Sequence, residues 1–231
     1  VFDVSLCILA CNRPEGVQRL VESVRAFDDF RVEVVIGDNS TQALAQREHA
    51  EIADVWFHVS DRELWFDGFG VCKTKIIQAA ANDLVLVGDA DEQWRQTEHS
   101  APLARSSWIA RTGLLSKGAV AKEHGRVFNR KVWRLLGMIH EEPYNRRSRA
   151  NWGAVAPPEH FALIEHDTRA PSPSYLARKA ALYDNLIYRI AQDPDMSPGT
   201  NRWWVEEYLP SRIAEGFEPM SFEQWSEEYH D

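Results

Sequence analysis

Leu84-Val85-Leu86-Val87-Gly88-Asp89-Ala90-Asp91 is the stretch on which the reading of the whole chain turns. A short unbroken apolar run, half of it β-branched, is the pattern of a strand covered on both faces. It ends at a glycine and passes into two carboxylates separated by one residue. In an open parallel sheet, ligands sit outside the carboxyl ends of the strands. Asp89 and Asp91 would stand at that edge, where paired carboxylates can face one hard cation, Mn2+ or Mg2+. Such an ion takes its remaining ligands from water and substrate phosphate. A solvated acidic turn has the same sequence, so the pair alone does not make a site.

The segments before it follow a strand–helix rhythm. Val4 to Ala10 (VSLCILA) is a second buried strand, followed by Cys11-Asn12-Arg13-Pro14-Glu15. Pro14 suits a first helical turn and Glu15 its positive end. Val17, Leu20, Val21 and Val24 continue at helical spacing. Val32 to Ile36 is a strand ending at Gly37-Asp38-Asn39-Ser40, a short helix spans Gln42 to Ala50, and Asp54 to Val59 is a further strand. Gly68-Phe69-Gly70 opens a helix running to about Ala81. This alternation predicts an α/β fold with a largely parallel sheet and helices on both faces.

Several polar groups fall at the same predicted edge. Asp38 can accept hydrogen bonds from a nucleobase or ribose, or can close an Asx turn. Arg13 can contact base or phosphate, or stay in solvent. Gly70 and Lys73 combine a small residue, a helix start and a positive charge, which favours anions. The spacing there is neither G-x-x-x-x-G-K-[ST] nor G-x-G-x-x-G. His166 ends the apolar run Phe161 to Glu165 and offers a nitrogen ligand. Glu141, in His140-Glu141-Glu142, is a candidate general base, with Glu142 and Glu92 as fallbacks. His140, Glu142 and Trp65 are candidate acceptor contacts.

The second half is less regular. Short strands are expected at Trp108 to Arg111 and Arg126 to Asn129, with a polar loop over 140 to 152. Leu176, Lys179, Tyr183, Leu186, Ile187 and Ile190 mark an amphipathic helix. Trp203 to Ala214 and Phe222 to Tyr229 read as two more.

The 231 residues carry a net charge of −9 and are 44% hydrophobic. That balance opposes broad binding to nucleic acid, which needs a basic face. Arg146, Arg147 and Arg149 form a local basic cluster, which a solvated loop would also show. No apolar run approaches the roughly 18 residues of a membrane span, and no signal-peptide pattern follows Val1. Three cysteines without zinc or disulfide spacing point to a reducing, cytoplasmic setting.

The order of these motifs resembles the nucleotide-sugar half of family 2 glycosyltransferases with the GT-A fold, over about residues 3 to 93. Arg126-Val127-Phe128-Asn129-Arg130 followed by Gly137-Met138-Ile139-His140-Glu141 is similar to one branch of that family. That branch holds lipopolysaccharide-core glucosyltransferases and glycosyltransferases fused to helical repeats. The resemblance implies a GT-A domain over 1–170, divided into a nucleotide-sugar half (1–93) and an acceptor half (94–170), and a helical extension over 171–231. It implies nucleoside contacts, most often to uridine, from Asn12, Arg13 and Asp38. It places Lys73 and Gly70 near the diphosphate, gives Asp89 a donor-binding role, and makes Asp89, Asp91 and His166 the metal set. Two motifs depart from the family: Gly-Asp-Asn-Ser replaces D-D-G-S, and Cys-Lys-Thr replaces A-R-N.

The implied reaction moves a sugar from a nucleoside diphosphate, UDP foremost, to an acceptor, with inversion. Glycan, lipid-linked sugar, peptide and modified nucleobase all suit as acceptors. A nucleotidyltransferase shares the acidic pair, although the Gly-rich loop expected after its first strand is missing here. A non-catalytic sugar-binding module is the third possibility. Glu141→Gln is expected to abolish turnover while donor affinity, measured by calorimetry, is retained; loss of binding would instead assign Glu141 a structural role.

Overall fold

The computed structural model describes residues 1–106, 109–139, 142–145, 152–166, 172–196 and 202–229. It divides into two compact units. The first comprises Val1–His58, Lys73–Leu135 and Pro143–Thr168, and the second Val59–Cys72, Leu136–Glu142 and Arg169–Asp231.

In the first unit, the strand–helix alternation runs β1 (Phe2–Ala10), α1 (Pro14–Arg25), β2 (Phe30–Asp38), α2 (Ala43–Ile52) and β3 (Val55–His58). Helix α3 (Asp61–Ala79) contributes residues to both units. It is followed by β4 (Leu84–Asp89), β5 (Glu92–Gln96), α4 (Ser100–Ser106), β6 (Ile109–Ser116) and β7 (Ala119–Asn129). Then come β8 (Trp133–Leu136), β9 (Glu142–Asn145), α5 (Trp152–Val155) and β10 (His160–His166).

Among the described residues, eight strands form one sheet in the order β3-β2-β1-β4-β7-β6-β10-β5. The pairs β3–β2, β2–β1, β1–β4 and β6–β10 are parallel. The pairs β4–β7, β6–β7 and β5–β10 are antiparallel. The expected α/β architecture with a mostly parallel sheet is therefore present. Its central strand shows why the sequence there is apolar without alternation. Leu6 and Ile8 pack with Val17, Leu20, Val21 and Val24 of α1, while Cys7 packs with Ile76 and Ile77 of α3.

Register brings the polar residues to one edge. Ala10 pairs with Asp38 and Leu9 with Asp89, so β2 and β4 end level on either side of β1. Leu86 pairs with Val127, which carries Arg126 to the end of β4. His166 pairs with Glu92. Strand β5 carries no apolar run, because Glu-Gln-Trp-Arg-Gln is polar; only Glu92 and Trp94 face inward. The pair β6–β7 is a longer hairpin than expected, turning at Lys117 and Gly118, both at positive φ.

The second unit contains the first part of α3, with α6 (Pro173–Gln192), α7 (Leu209–Ala214) and α8 (Phe222–Glu228). The apolar spacing of 176–190 does form a helix, and Ser172 caps it by accepting from the Tyr175 N–H. Trp203 to Ala214 begins as a π-helical turn at Trp204–Tyr208 before becoming α7. Helix α3 is two helical stretches joined at a kink, one from Asp61 that sequence did not predict and one that opens after Gly68, as the glycines suggest. Gly68 interrupts it with φ of 76°, where a side chain would meet Met138 Cα at 2.6 Å. The Phe69 and Gly70 N–H groups then donate to the carbonyls of Met138 and Gly137. Among the described residues no helix is long and apolar enough to cross a membrane.

Gly16 fixes how closely α1 approaches the Asp-Ala-Asp turn. A Cβ there would stand 2.1 Å from the Ala90 carbonyl oxygen, which is backbone and cannot rotate aside. Gly16→Ala is expected to cost about 1–3 kcal/mol in urea denaturation, with the turn displaced. An unchanged midpoint would mean that this approach is not needed.

Candidate active site

The site grows from the ends of β1, β2 and β4, all in the first unit. At the end of β4, Asp89 accepts from Lys73 Nζ at 2.7 Å through Oδ1 and from Arg126 Nη2 at 2.8 Å through Oδ2. Lys73 is itself buried. Burial works to raise the Asp89 pKa, but Arg126 and Lys73 overcome it and hold the carboxyl well below the ordinary carboxylate range. Asp89 is therefore an anion bracketed by two cations of its own chain.

Glu92 ties this group to the sheet. It is buried, and it accepts from the Asp89 N–H at 3.1 Å, Trp94 Nε1 at 3.0 Å and Arg126 Nη2 at 3.0 Å. With its oxygens so engaged, Glu92 is a scaffold for Arg126 and is poorly placed to act as the fallback base. His166 Nε2 lies 3.8 Å from Glu92 Oε1. The Glu92 carboxylate raises the His166 pKa against the opposing effect of burial, with Asp91 and Asp89 adding to the rise.

Asp91 lies beyond this clamp, partly exposed, with Arg13 Nη1 at 3.9 Å. Among the described residues no three His, Cys, Asp or Glu side chains are grouped closely enough to hold a metal ion. The expected set of Asp89, Asp91 and His166 is thus not a preformed cage. Both Asp89 oxygens are occupied by cations, whereas Asp91 and His166 have donor atoms suited to a divalent ion. A hard divalent ion there would draw on the Asp91 carboxylate, with water and phosphate completing its shell.

At the end of β2, Asp38 is 0% exposed. Its Oδ1 accepts from the Ser40 N–H at 2.8 Å and lies 3.2 Å from His49 Nδ1; its Oδ2 accepts from Trp56 Nε1 at 3.2 Å. Burial raises its pKa, but the bonds from His49 and Ser40 outweigh that and lower it. Ser40 Oγ accepts from the Asn12 N–H at 2.8 Å, and Asn12 Nδ2 donates to Thr41 Oγ1 at 2.9 Å. Asn12 takes a positive φ of 49° in making this link between the β1 and β2 ends.

The structure thus brings together Asn12, Arg13, Asp38, Lys73, Asp89, Asp91 and His166 within one unit. Gly70 belongs to the second unit, where its N–H is engaged with Gly137. Trp65 is 3% exposed there and packs on Trp225 and Phe222, with ring centroids 5.4 and 6.1 Å apart. Its covered ring offers no stacking face to an acceptor, which corrects that expectation. His140 and Glu141, like Arg146, Arg147 and Arg149, lie outside the described residues; Glu142 is described only as the first residue of β9.

Arg126, His49 and Trp56 gained no role from sequence. Arg126 appeared only within a motif, because its place beside Asp89 comes from strand pairing across 37 residues. His49 had a local signal, standing four residues after Ala45 on the buried side of α2.

Residues 5–105 match the family described as Glycosyl transferase family 2. No curated protein matches the chain in sequence. Among solved structures, mannosyl-3-phosphoglycerate synthase from Rubrobacter xylanophilus is 16% identical, with a TM-score of 0.46 over 87% of this chain and 79% of that one. A mannosyltransferase from Pyrobaculum calidifontis, in complex with GDP-Man and Mn2+, is 13% identical, with a TM-score of 0.44 over 93% and 76%. Glucosyl-3-phosphoglycerate synthase from Mycobacterium tuberculosis, in complex with Mn2+, UDP and phosphoglyceric acid, is 21% identical. Its TM-score is 0.34 over 51% of this chain and 44% of that one.

The raised His166 pKa has a definite sign. A group protonated more readily in the folded state stabilises fully below its unfolded pKa and loses that contribution as pH rises through the folded value. The excess stability of the wild type over His166→Gln, from urea midpoints, is expected to be larger at about pH 6 than at about pH 9. An equal difference at both would mean that His166 and Glu92 are not coupled.

Proposed function

We propose that this chain, whose residues 5–105 match the family described as Glycosyl transferase family 2, transfers a sugar from a nucleoside diphosphate, UDP foremost, to an acceptor nucleophile. One observation carries this reading: Lys73 and Arg126 converge on Asp89 at the carboxyl edge of the parallel strands. Two fixed cations beside an open sheet edge are suited to the negative charge of a diphosphate.

In the proposed reaction, the bond between the anomeric carbon and the diphosphate oxygen breaks as the acceptor oxygen attacks from the opposite face. Inversion follows from a single displacement. Lys73 and Arg126 stabilise the charge that grows on the leaving diphosphate. Because Asp89 and Glu92 hold them in place beforehand, little reorganisation is needed as that charge develops. Arg13 adds a third cation at the Asp91 side. Glu141 takes the acceptor proton. Asn12 and the Asp38 turn form the nucleoside end.

An Mn2+ or Mg2+ ion held by Asp91 and deprotonated His166 would add charge neutralisation on the diphosphate. His166 must give up the proton that Glu92 favours before its nitrogen can serve. The acceptor is a glycan, lipid-linked sugar, peptide or modified nucleobase. The three free cysteines suit a cytoplasmic setting.

A thermal-shift screen with UDP, GDP and their sugars, with and without Mn2+, tests the donor. Saturating ligand at about 100 times Kd adds about 2.7 kcal/mol of apparent stability. Arg126→Ala is expected to weaken UDP binding about tenfold or more, as loss of a charge-assisted contact does. Asp91→Ala is expected to abolish metal-dependent transfer while the fold survives. Product analysis separates the mechanisms: free nucleoside diphosphate marks sugar transfer, and pyrophosphate would mark nucleotidyl transfer. If no nucleotide raises the melting temperature of the wild type, the proposal fails.

A further inference from the structure

Asp38 stands where a nucleoside would be received, yet its carboxylate has no exposed surface. Three elements close over it: the turn through Ser40, helix α2 through His49 and strand β3 through Trp56. Trp56, whose indole donates into this group, is 38% exposed as a residue. The other described tryptophans of the first unit, Trp94, Trp133 and Trp152, are buried. Among the described residues no aromatic ring packs on Trp56, so neither ring face is claimed by an aromatic neighbour.

The indole is nevertheless held firmly. Its Nε1–H donates to Asp38 Oδ2 at 3.2 Å. Asp38 is in turn fixed through Oδ1 by the Ser40 N–H and by His49 Nδ1. His49 is fully buried, and its Nε2 has no hydrogen-bond partner. Leaving a buried ring nitrogen unpaired is costly, so the anchoring of this imidazole comes through Nδ1, which faces Asp38 and, at 3.3 Å, Ser40 Oγ. A partly exposed Trp whose Nε1–H is tied to a buried carboxylate is restrained before any ligand arrives. A planar ligand stacking on it pays less ordering entropy.

We propose that Trp56 is the side chain on which the donor's nucleobase stacks, and that Asp38 and His49 are positioning residues that fix the indole. The inference rests on the nucleotide-sugar donor proposed above, and it changes how Asp38 serves that donor: through Trp56, without touching it. Stacking accepts any base because every base has a π-face. Trp56 thus supplies affinity for the nucleoside and little choice between uridine and guanosine.

Calorimetry with UDP, GDP and inorganic pyrophosphate tests this on the full chain. Trp56→Ala is expected to raise the Kd for UDP and for GDP about tenfold, the scale of one stacked base, and to leave the Kd for pyrophosphate unchanged. Trp56→Phe, which keeps a stacking face, is expected to stay within about threefold of wild type. His49→Asn retains an N–H near the position of Nδ1 and is expected to bind UDP like the wild type. His49→Leu, which has no donor, is expected to bind it more weakly. Unchanged UDP affinity in a folded Trp56→Ala would overturn the proposal, as would an equal loss for UDP and pyrophosphate, which marks general damage. Equal behaviour of His49→Asn and His49→Leu would overturn the positioning role. If the wild type binds neither UDP nor GDP, it is the donor reading that has failed.

Discussion

Everything at the carboxyl edge of the sheet depends on the neutralisation of Asp89. A carboxylate ending a buried strand is costly unless cations meet it. Here Lys73 comes from α3 and Arg126 from β7, one to each oxygen. Arg126 would be a second buried charge problem without Glu92, which is itself satisfied by Trp94 and by the Asp89 N–H. The result is a closed set of paired charges rather than a loose acidic turn. It ties β4, β5 and β7 together where chemistry is expected.

That arrangement also explains why the Asp-Ala-Asp turn has two unlike carboxylates. Asp89 has a cation on each oxygen, at 2.7 and 2.8 Å. Asp91, equally exposed, has Arg13 at a longer 3.9 Å. Residues of one type two positions apart therefore receive different tasks, set by what the neighbouring strands place against each of them. Gly16 contributes from the opposite side, since its missing side chain lets α1 sit against the Ala90 carbonyl.

The Asp38 end follows the same logic, with the N–H donors of Ser40, His49 and Trp56 grouped on one buried carboxylate. Ser40 also reaches Asn12, which joins the ends of β1 and β2. Positions built this way are fixed by packing and by supporting hydrogen bonds, which is what precise ligand placement requires.

The α/β alternation and the strand ends were legible from residue order alone. Unbroken apolar runs such as Val4 to Ala10 report strands buried on both faces, and Pro14 and Gly16 belong to one local turn of helix. Asp38, Lys73, Asp89 and Asp91 were legible as candidates because each sits where a local pattern changes. Strand β5 was not, since its polar residues show no apolar run, and neither was the helical stretch from Asp61 that precedes the Gly68 kink. Residue order shows which groups are available and at which strand ends they lie. Which of them meet depends on how the strands pair and the helices pack. Pairing of β7 with β4, of β10 with β5, and the packing of α2 on β2 join residues tens of positions apart. Those contacts arise from register and burial over long separations, which local periodicity does not encode.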